Sequence, residues 1–368
     1  MSLLHGIFCG PNSMSNDSGE VVFSQVGSLG RIVLNRPKFL NALNLGMVGQ
    51  IQEKLNEWNK NPKIGGIVIE GRGEKAFCAG GDIKRLAESA RRGELAYCRE
   101  FFSTEFLLNR NIYRLEKPWI AILDGITMGG GVGLSVHGRF QVATERTVFA
   151  MPETGIGYFP DVGASYFLSR LPSEIGTFLG LTGARLNGRD MLELGIASHY
   201  IHSQNLDEVL VGLGALPSGE GNTQYTYDLL DKFSLKDKGD LVSEHEEVIK
   251  KCFSKKSVED IFSALEMTGS EWAEEVLDSL RRKCPRSLKV TLRQLMEGRT
   301  RDFENCMIME LRLALRFMKE HDFYEGVRAM LVDKDFRPSW QPLTLNEIDD
   351  EEVEKFFQPL SDGDLTFS

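Results

Sequence analysis

The chain has 368 residues, 42% of them apolar and 26% charged, enough to bury a sizeable core in one large domain or two ordinary ones. A net charge of -10 and a pI near 5.3 argue against broad binding to a phosphate backbone, which needs clustered Lys and Arg, so no nucleic-acid partner is expected and any anionic ligand must be held locally. The longest apolar stretches, such as Trp119–Leu123, are broken within a few residues, far short of the roughly 20 needed to cross a bilayer, so no membrane partner is expected.

Residues 1–20 are rich in Gly, Ser and Asn and contain neither Arg nor Lys, which predicts a disordered lead-in and a poor secretory or mitochondrial targeting peptide. The C-terminal Leu-Thr-Phe-Ser does not match the S-K-L type of peroxisomal address. Six cysteines, Cys9, Cys78, Cys98, Cys252, Cys284 and Cys306, are scattered without a C-x-x-C pair, the usage of buried thiols in a reducing compartment.

Across residues 21–205, short β-rich runs alternate with helical patterns: Val21–Val26, Ile32–Asn35, Ile64–Glu70, Trp119–Asp124 and Phe140–Ala143 are the predicted strands. Asn44 is placed to cap a helix whose apolar positions Val48, Ile51, Leu55 and Trp58 recur at helical spacing until Asn61-Pro62 stops it. This order predicts a layered α/β fold. From residue 206 to 368 strand runs disappear, and Ser257–Leu265, Ser270–Arg282 and Phe303–Glu320 read as amphipathic helices. Pro217–Tyr225 reads as a linker between the two parts, and no solenoid repeat is present.

Three glycine-rich segments each fall where a strand should end. Ala79-Gly80-Gly81-Asp82-Ile83 precedes a helix that Asp82 can cap, and its glycines let the backbone approach a ligand closely. Gly129-Gly130-Gly131 is predicted to open another helix, presenting unpaired N–H groups and the positive end of its dipole. Either loop alone reads as a tight turn, and neither satisfies G-x-G-x-x-G or a P-loop. Together, two loops that each donate one N–H resemble an oxyanion hole for an acyl thioester.

The third segment carries Glu153 and Asp161, eight positions apart among apolar, Gly and Pro residues, surroundings that raise a carboxyl pKa toward acid/base use. From spacing alone an equal reading is that Asp161 caps a helix running to Leu171 and Glu153 is an exposed loop residue. Other chemistries have less support. Ser135 sits in a near miss to the G-x-S-x-G elbow, with His137 at the last position, and is read as structural. His199 and His202 lack a carboxylate to complete a ligand set, so no metal is expected.

Asn35-Arg36-Pro37-Lys38-Phe39-Leu40-Asn41-Ala42-Leu43, Ala79-Gly80-Gly81-Asp82, Gly129-Gly130-Gly131 and Pro152-Glu153-Thr154-Gly155-Ile156-Gly157 resemble, in order and spacing, the motifs of the crotonase (enoyl-CoA hydratase/isomerase) superfamily. Asp322–Ala329 with Asp333-Lys334 resembles its C-terminal helix. The resemblance implies a spiral of ββα units followed by a helical C-terminal region, binding acyl-CoA with its thioester carbonyl on the amides of Gly81 and Gly130. Arg36, Lys38 and the loop containing Ala79, Asp82 and Ile83 would lie near the CoA nucleotide.

Hydratases of the superfamily hold water on two glutamates. The second corresponds to Glu153, but the position of the first is Gly133, so a simple hydratase is disfavoured. The run from Thr127 to Gly138, Met151-Pro152-Glu153-Thr154 and Phe159-Pro160-Asp161-Val162-Gly163 are instead similar to the signatures of the 3-hydroxyisobutyryl-CoA hydrolases, and Glu105 falls where that family has a substrate-pocket glutamate. The resemblance implies thioester hydrolysis to free CoA and a 3-hydroxy acid, as in valine breakdown. Glu153 would act as nucleophile or general base, and Asp161 would orient Glu153, water or the substrate hydroxyl.

No cofactor is expected beyond the CoA of the substrate. Family analogy favours mitochondria, with another intracellular compartment as the alternative, and a homo-oligomer whose usual trimeric form the added helical region can alter. Two competing readings stand beside hydrolysis: an enoyl-CoA hydratase or isomerase using Glu153 alone, and a non-catalytic scaffold such as a mitochondrial ribosome component.

Overall fold

The computed structural model describes residues 19–237 and 239–367. The expected lead-in lies almost wholly outside the described residues, as does Cys9. Among the described residues ten strands are formed: β1 (Val21–Val26), β2 (Leu29–Leu34), β3 (Gly66–Gly71), β4 (Ala76–Cys78), β5 (Trp119–Leu123), β6 (Ile126–Met128), β7 (Phe140–Ala143), β8 (Val148–Ala150), β9 (Leu186–Asn187) and β10 (His199–Tyr200).

They make a six-stranded sheet in the order β1-β2-β3-β5-β7-β10 and a four-stranded sheet in the order β4-β6-β8-β9. In the larger sheet β1 and β2 form an antiparallel hairpin and the rest run parallel, with Ile67 beside Trp119 and Ile122 beside Val142. Such a sheet is covered on both faces, which is why Ile67–Ile69 and Trp119–Leu123 are continuously apolar instead of alternating.

The five strands expected from the sequence are all present. The other five are two or three residues long, too short to show a period of two. They matter for the site. The pairs β3/β4, β5/β6 and β7/β8 each start in the large sheet and turn into the small one, and this ββα repeat is the crotonase-like spiral. The segments that follow β4, β6 and β8 all line one cavity.

Helix α1 (Leu45–Lys60) is capped by Asn44, whose Oδ1 accepts the Met47 amide at 3.0 Å, and it buries Val48, Ile51, Leu55 and Trp58. Helix α2 (Ile83–Arg91) is capped by Asp82, and α3 (Leu95–Tyr113) follows it. Among the described residues no strand follows Tyr200, as the change of pattern predicts.

The expected linker differs. A helix, Asn222–Asp231, begins inside Pro217–Tyr225, and Asn222 Nδ2 donates to the Gly65 carbonyl at 2.7 Å, so the segment packs against the start of β3. Together with helix Leu206–Leu213 it covers one face of the large sheet, enclosing Val68, Ile120 and Val142 against Val209, Leu213 and Leu230. On the other face one core is continuous across the change of pattern, joining Phe149 and Leu168 to Leu295 and Phe317.

Candidate active site

The strand β4 ends in Ala79-Gly80-Gly81-Asp82. Gly80 has φ +113°, which glycine alone adopts readily. Its carbonyl accepts the Leu43 amide at 2.8 Å, and the Asp82 amide donates to the Leu43 carbonyl at 2.8 Å. The Gly81 amide between them donates to no protein acceptor among the described residues.

On the neighbouring strand β6, Gly129 turns the chain with φ +48° and ψ -122° into α4 (Gly130–Gly133). The Gly130 amide also has no protein acceptor among the described residues. A Cβ built on Gly80 would lie 3.7 Å from the Gly130 nitrogen, and one on Gly130 would lie 3.4 Å from the Gly81 nitrogen. The two free amides therefore converge. Because α4 is a single turn, its dipole adds little, and the unpaired N–H itself is the resource.

Three carboxyls face these amides in a cavity of about 640 Å³. Glu105 projects from α3, Glu153 opens the 3-10 turn Glu153–Ile156 after β8, and Asp161 follows Tyr158-Phe159-Pro160. All are buried, at 2%, 6% and 6% exposure. Glu105 Oε1 and Glu153 Oε2 are sealed from solvent without a hydrogen-bond partner. A Cβ on Gly130 would sit 2.5 Å from Glu105 Oε1, and one on Gly129 3.3 Å from Glu153 Oε1. Both carboxyls thus abut the glycine triplet.

Burial, reinforced by the charge of Asp161, pushes Glu105 and Glu153 well above the ordinary carboxylate range. Burial raises Asp161 to about 7, opposed by the Tyr158 hydroxyl, which donates to Asp161 Oδ2 at 3.1 Å. Lys283, itself lowered to about 8 by burial, is the cation that acts on Glu153. Unpaired buried acids in a cleft are poised to exchange protons.

Asp161 does not cap a helix with its side chain, and Glu153 is not an exposed loop residue, so the structural reading of that segment is set aside. The cap position before helix Ala164–Phe167 is Gly163. Val162 has φ +52°, a β-branched residue in the left-handed region, where strain of roughly 1–3 kcal/mol is expected. Its side chain wedges against α4: a Cβ on Gly133 would meet Val162 Cβ at 2.7 Å and Asn109 Nδ2 at 2.8 Å. Position 133 has no room for a glutamate.

The cavity is lined by Lys38, Ala79, Asp82 and Ile83, and by Lys84, Arg185 and Lys334 in addition. Arg36 does not line it. Its guanidinium is committed to Glu20 at 3.0 Å, Asp82 at 3.2 Å and the Ala42 carbonyl at 2.7 Å, so it braces the wall from behind. Ser135 donates to the carbonyls of Gly131 and Val132, inside the fold. His199 meets Asp231 at 3.3 Å while His202 meets Glu145 at 3.4 Å, and among the described residues no side-chain group suited to a metal ion is formed.

Sequence reasoning missed Tyr158, Gln294 and Glu310. Tyr158 falls between two of the motifs, which end at Gly157 and begin at Phe159. Glu310 lies on the apolar stripe of helix Phe303–Phe317, between Met307 and Ala314, and an acid on a buried stripe was the available signal.

The family description Enoyl-CoA hydratase/isomerase matches residues 29–357. Proteins named 3-hydroxyisobutyryl-CoA hydrolase, mitochondrial, are similar along nearly the whole chain: that of Mus musculus is 47% identical over 96% of this chain and 93% of its own, and that of Homo sapiens 46% over 95% and 91%. The chain belongs to the 3-hydroxyisobutyryl-CoA hydrolase family of the crotonase superfamily. Among solved structures, one titled a carnitinyl-CoA dehydratase from Mycobacterium thermoresistibile superposes with TM-score 0.88 at 35% identity, covering 95% of this chain and 98% of its own. One titled an enoyl-CoA hydratase from Rhodobacter sphaeroides gives 0.86 at 33%, covering 95% and 100%.

Proposed function

We propose that the protein hydrolyses the thioester of 3-hydroxyisobutyryl-CoA, and also that of 3-hydroxypropionyl-CoA, releasing CoA and the 3-hydroxy acid in mitochondrial valine catabolism. The observation that carries the reading is the meeting of two unpaired amides, Gly81 and Gly130, with buried, unpaired carboxyls on the residues of the hydrolase signature. Support also comes from the names of relatives at 47% and 46% identity.

In this reading the carbonyl oxygen sits between the Gly81 and Gly130 amides, which take up the negative charge that develops there. One such donor contributes about 3–4 kcal/mol of transition-state stabilisation. Glu153 as carboxylate either attacks the carbonyl carbon, breaking C–S and forming an acyl-enzyme anhydride that water then cleaves, or takes a proton from an attacking water. Either way the sum is thioester plus water to carboxylic acid plus thiol, with no further co-reactant. Asp161 and Glu105 bind the 3-hydroxyl and the water. A site with buried polar groups discriminates against acyl groups that leave those groups unpaired. Lys38 and the Ala79–Ile83 loop hold the CoA, and Arg36 braces that loop through Asp82. A homo-oligomer is part of the proposal, tested by sedimentation equilibrium.

The titles of the two solved structures favour a second reading, reversible dehydration of a 3-hydroxyacyl-CoA. The filled space at Gly133 weighs against it. The test is purified protein with 3-hydroxyisobutyryl-CoA, following free thiol and enoyl absorbance together, with Glu153→Ala and Asp161→Ala as controls. Thiol release lost in both variants supports hydrolysis. Enoyl formation without thiol overturns it in favour of dehydration, and binding without turnover points to a scaffold.

A further inference from the structure

Asp161 reaches the cavity from a backbone that its own sequence does not favour, with Val162 at φ +52° and Gly163 at φ +88°. That segment is held from outside. Glu310, fully buried on helix Phe303–Phe317, accepts the Gly163 amide at 2.7 Å, the Ser165 amide at 2.9 Å and the Ser165 hydroxyl at 2.6 Å. Gln294, on helix Pro285–Gly298, donates to the Pro160 carbonyl at 2.6 Å and to Ser165 Oγ at 2.8 Å. His137 meets the Val162 carbonyl at 2.6 Å, and its ring, kept neutral by burial, donates there.

We propose that Glu310 is a positioning residue for the reaction: through the amides of Gly163 and Ser165 it fixes the strained turn that aims Asp161, with Gln294 as its partner. Neither side chain lines the cavity. Both come from the helical region, so that region sets the geometry of one reacting group and leaves the glycine amides alone. As placed, both carboxyl oxygens accept, Oε2 from the Gly163 amide and Oε1 from the Ser165 amide and hydroxyl, whereas a glutamine amide opposes a donor to one of the same N–H groups. The inference rests on the hydrolase reading for what Asp161 does.

The test measures kcat and KM for 3-hydroxyisobutyryl-CoA in wild type, Glu310→Gln, Asp161→Asn and the double variant, with Leu213→Ala as a control that lowers stability on the far face of the large sheet. Misplacing a reacting group by about 1 Å costs on the order of 10²-fold, so Glu310→Gln should lower kcat by about that factor with KM changed less than about threefold. In the Asp161→Asn background the same change should alter kcat by less than about threefold, because residues acting as a unit are not additive. Equal losses in both backgrounds, a kcat within about threefold of wild type, or a loss matched by Leu213→Ala would each overturn the role. Should Glu310→Gln not fold, Ser165→Ala and Gln294→Ala face the same criteria. Wild-type protein that releases no thiol sinks the hydrolase reading itself, and this role with it.

Discussion

The glycine loops and the 160–165 turn both hold backbone where most residues avoid it, and they do so by opposite means. At Gly80 and Gly129 the permission is intrinsic: no Cβ is present to clash, and the strand ends β4 and β6 position the loops. At Val162 it is imposed, by Glu310, Gln294 and His137 reaching in from remote parts of the chain. The first device is local in sequence and tolerates no side chain. The second needs a finished tertiary structure, and it can be loosened without touching the residue it serves.

The glycine amides hold the carbonyl and the turn aims Asp161, but Glu153 carries the reaction itself, so the largest effect should come from Glu153→Gln. Removing a positioned base or nucleophile costs roughly 10²–10⁴-fold in rate, and kcat should fall toward the upper end while KM holds. A single-turnover reaction in heavy-oxygen water then separates the routes, since label enters the Glu153 carboxyl only through an anhydride. A Glu153→Gln protein within about tenfold of wild type would remove this residue from the chemistry altogether.

Gly130→Ala comes next and tests the intrinsic device. The new methyl would lie 2.5 Å from Glu105 Oε1, in the space between amide and acid. The N–H remains, but a carbonyl displaced from it by the methyl loses that bond, which predicts a fall in kcat on the order of 10²–10³-fold. Folding should survive, because φ at Gly130 is not in the left-handed region. An alanine variant with normal turnover would show that the space between this amide and Glu105 is not where the carbonyl sits.

The same contrast explains what the sequence made legible. The glycine loops, Glu153 and Asp161 stood out as short contiguous segments, whereas Glu105 was singled out only by the family resemblance. The layered fold was readable in Trp119–Leu123 and in the Asn44-capped helix, where pattern and capping agree. The small sheet was not, because strands such as β4 and β8 draw their stability from neighbours and not from their own period. Nor was the hold on Val162, whose bond to Glu310 through Gly163 spans 147 positions. The partners of Arg36 were not legible either, because Glu20 and Asp82 reach it only once the chain has folded.

The turn also governs how the site titrates. Asp161, raised to about 7 by burial, faces the Tyr158 hydroxyl and the carboxyls of Glu105, Glu153 and Glu310, the last raised to about 8 by its own burial. If Asp161 works as a carboxylate, kcat/KM should rise up to tenfold per pH unit below that value and level off above it, and Asp161→Asn should abolish this limb. The stability trend has the opposite sign. A carboxyl whose folded pKa exceeds its unfolded value contributes fully below about 4, and its contribution is lost as pH climbs toward the folded value. Thermal midpoints should therefore decline across that window and decline less in Asp161→Asn. A midpoint that climbs between about pH 5 and 7 would mean that these acids are paired in solution.

The smallest effect is the one that separates the two devices directly. Replacing Val162 with Gly removes about 1.5–3 kcal/mol of apolar burial and adds the backbone entropy of glycine, another 0.5–1 kcal/mol. It also relieves left-handed strain of roughly 1–3 kcal/mol, so the net loss should be only about 1 kcal/mol. Val142→Gly, at a fully buried position in β7 with ordinary backbone angles, has no such offset and should cost the whole sum. Denaturant unfolding of both variants therefore reads the strain as their difference. Equal losses would mean that Val162 sits at ease and that the buried ties around it hold nothing in tension. A clear gap, accompanied by lower kcat in Val162→Gly, would show that the turn is kept in place by its neighbours and that the wedge against Gly133 contributes to aiming Asp161.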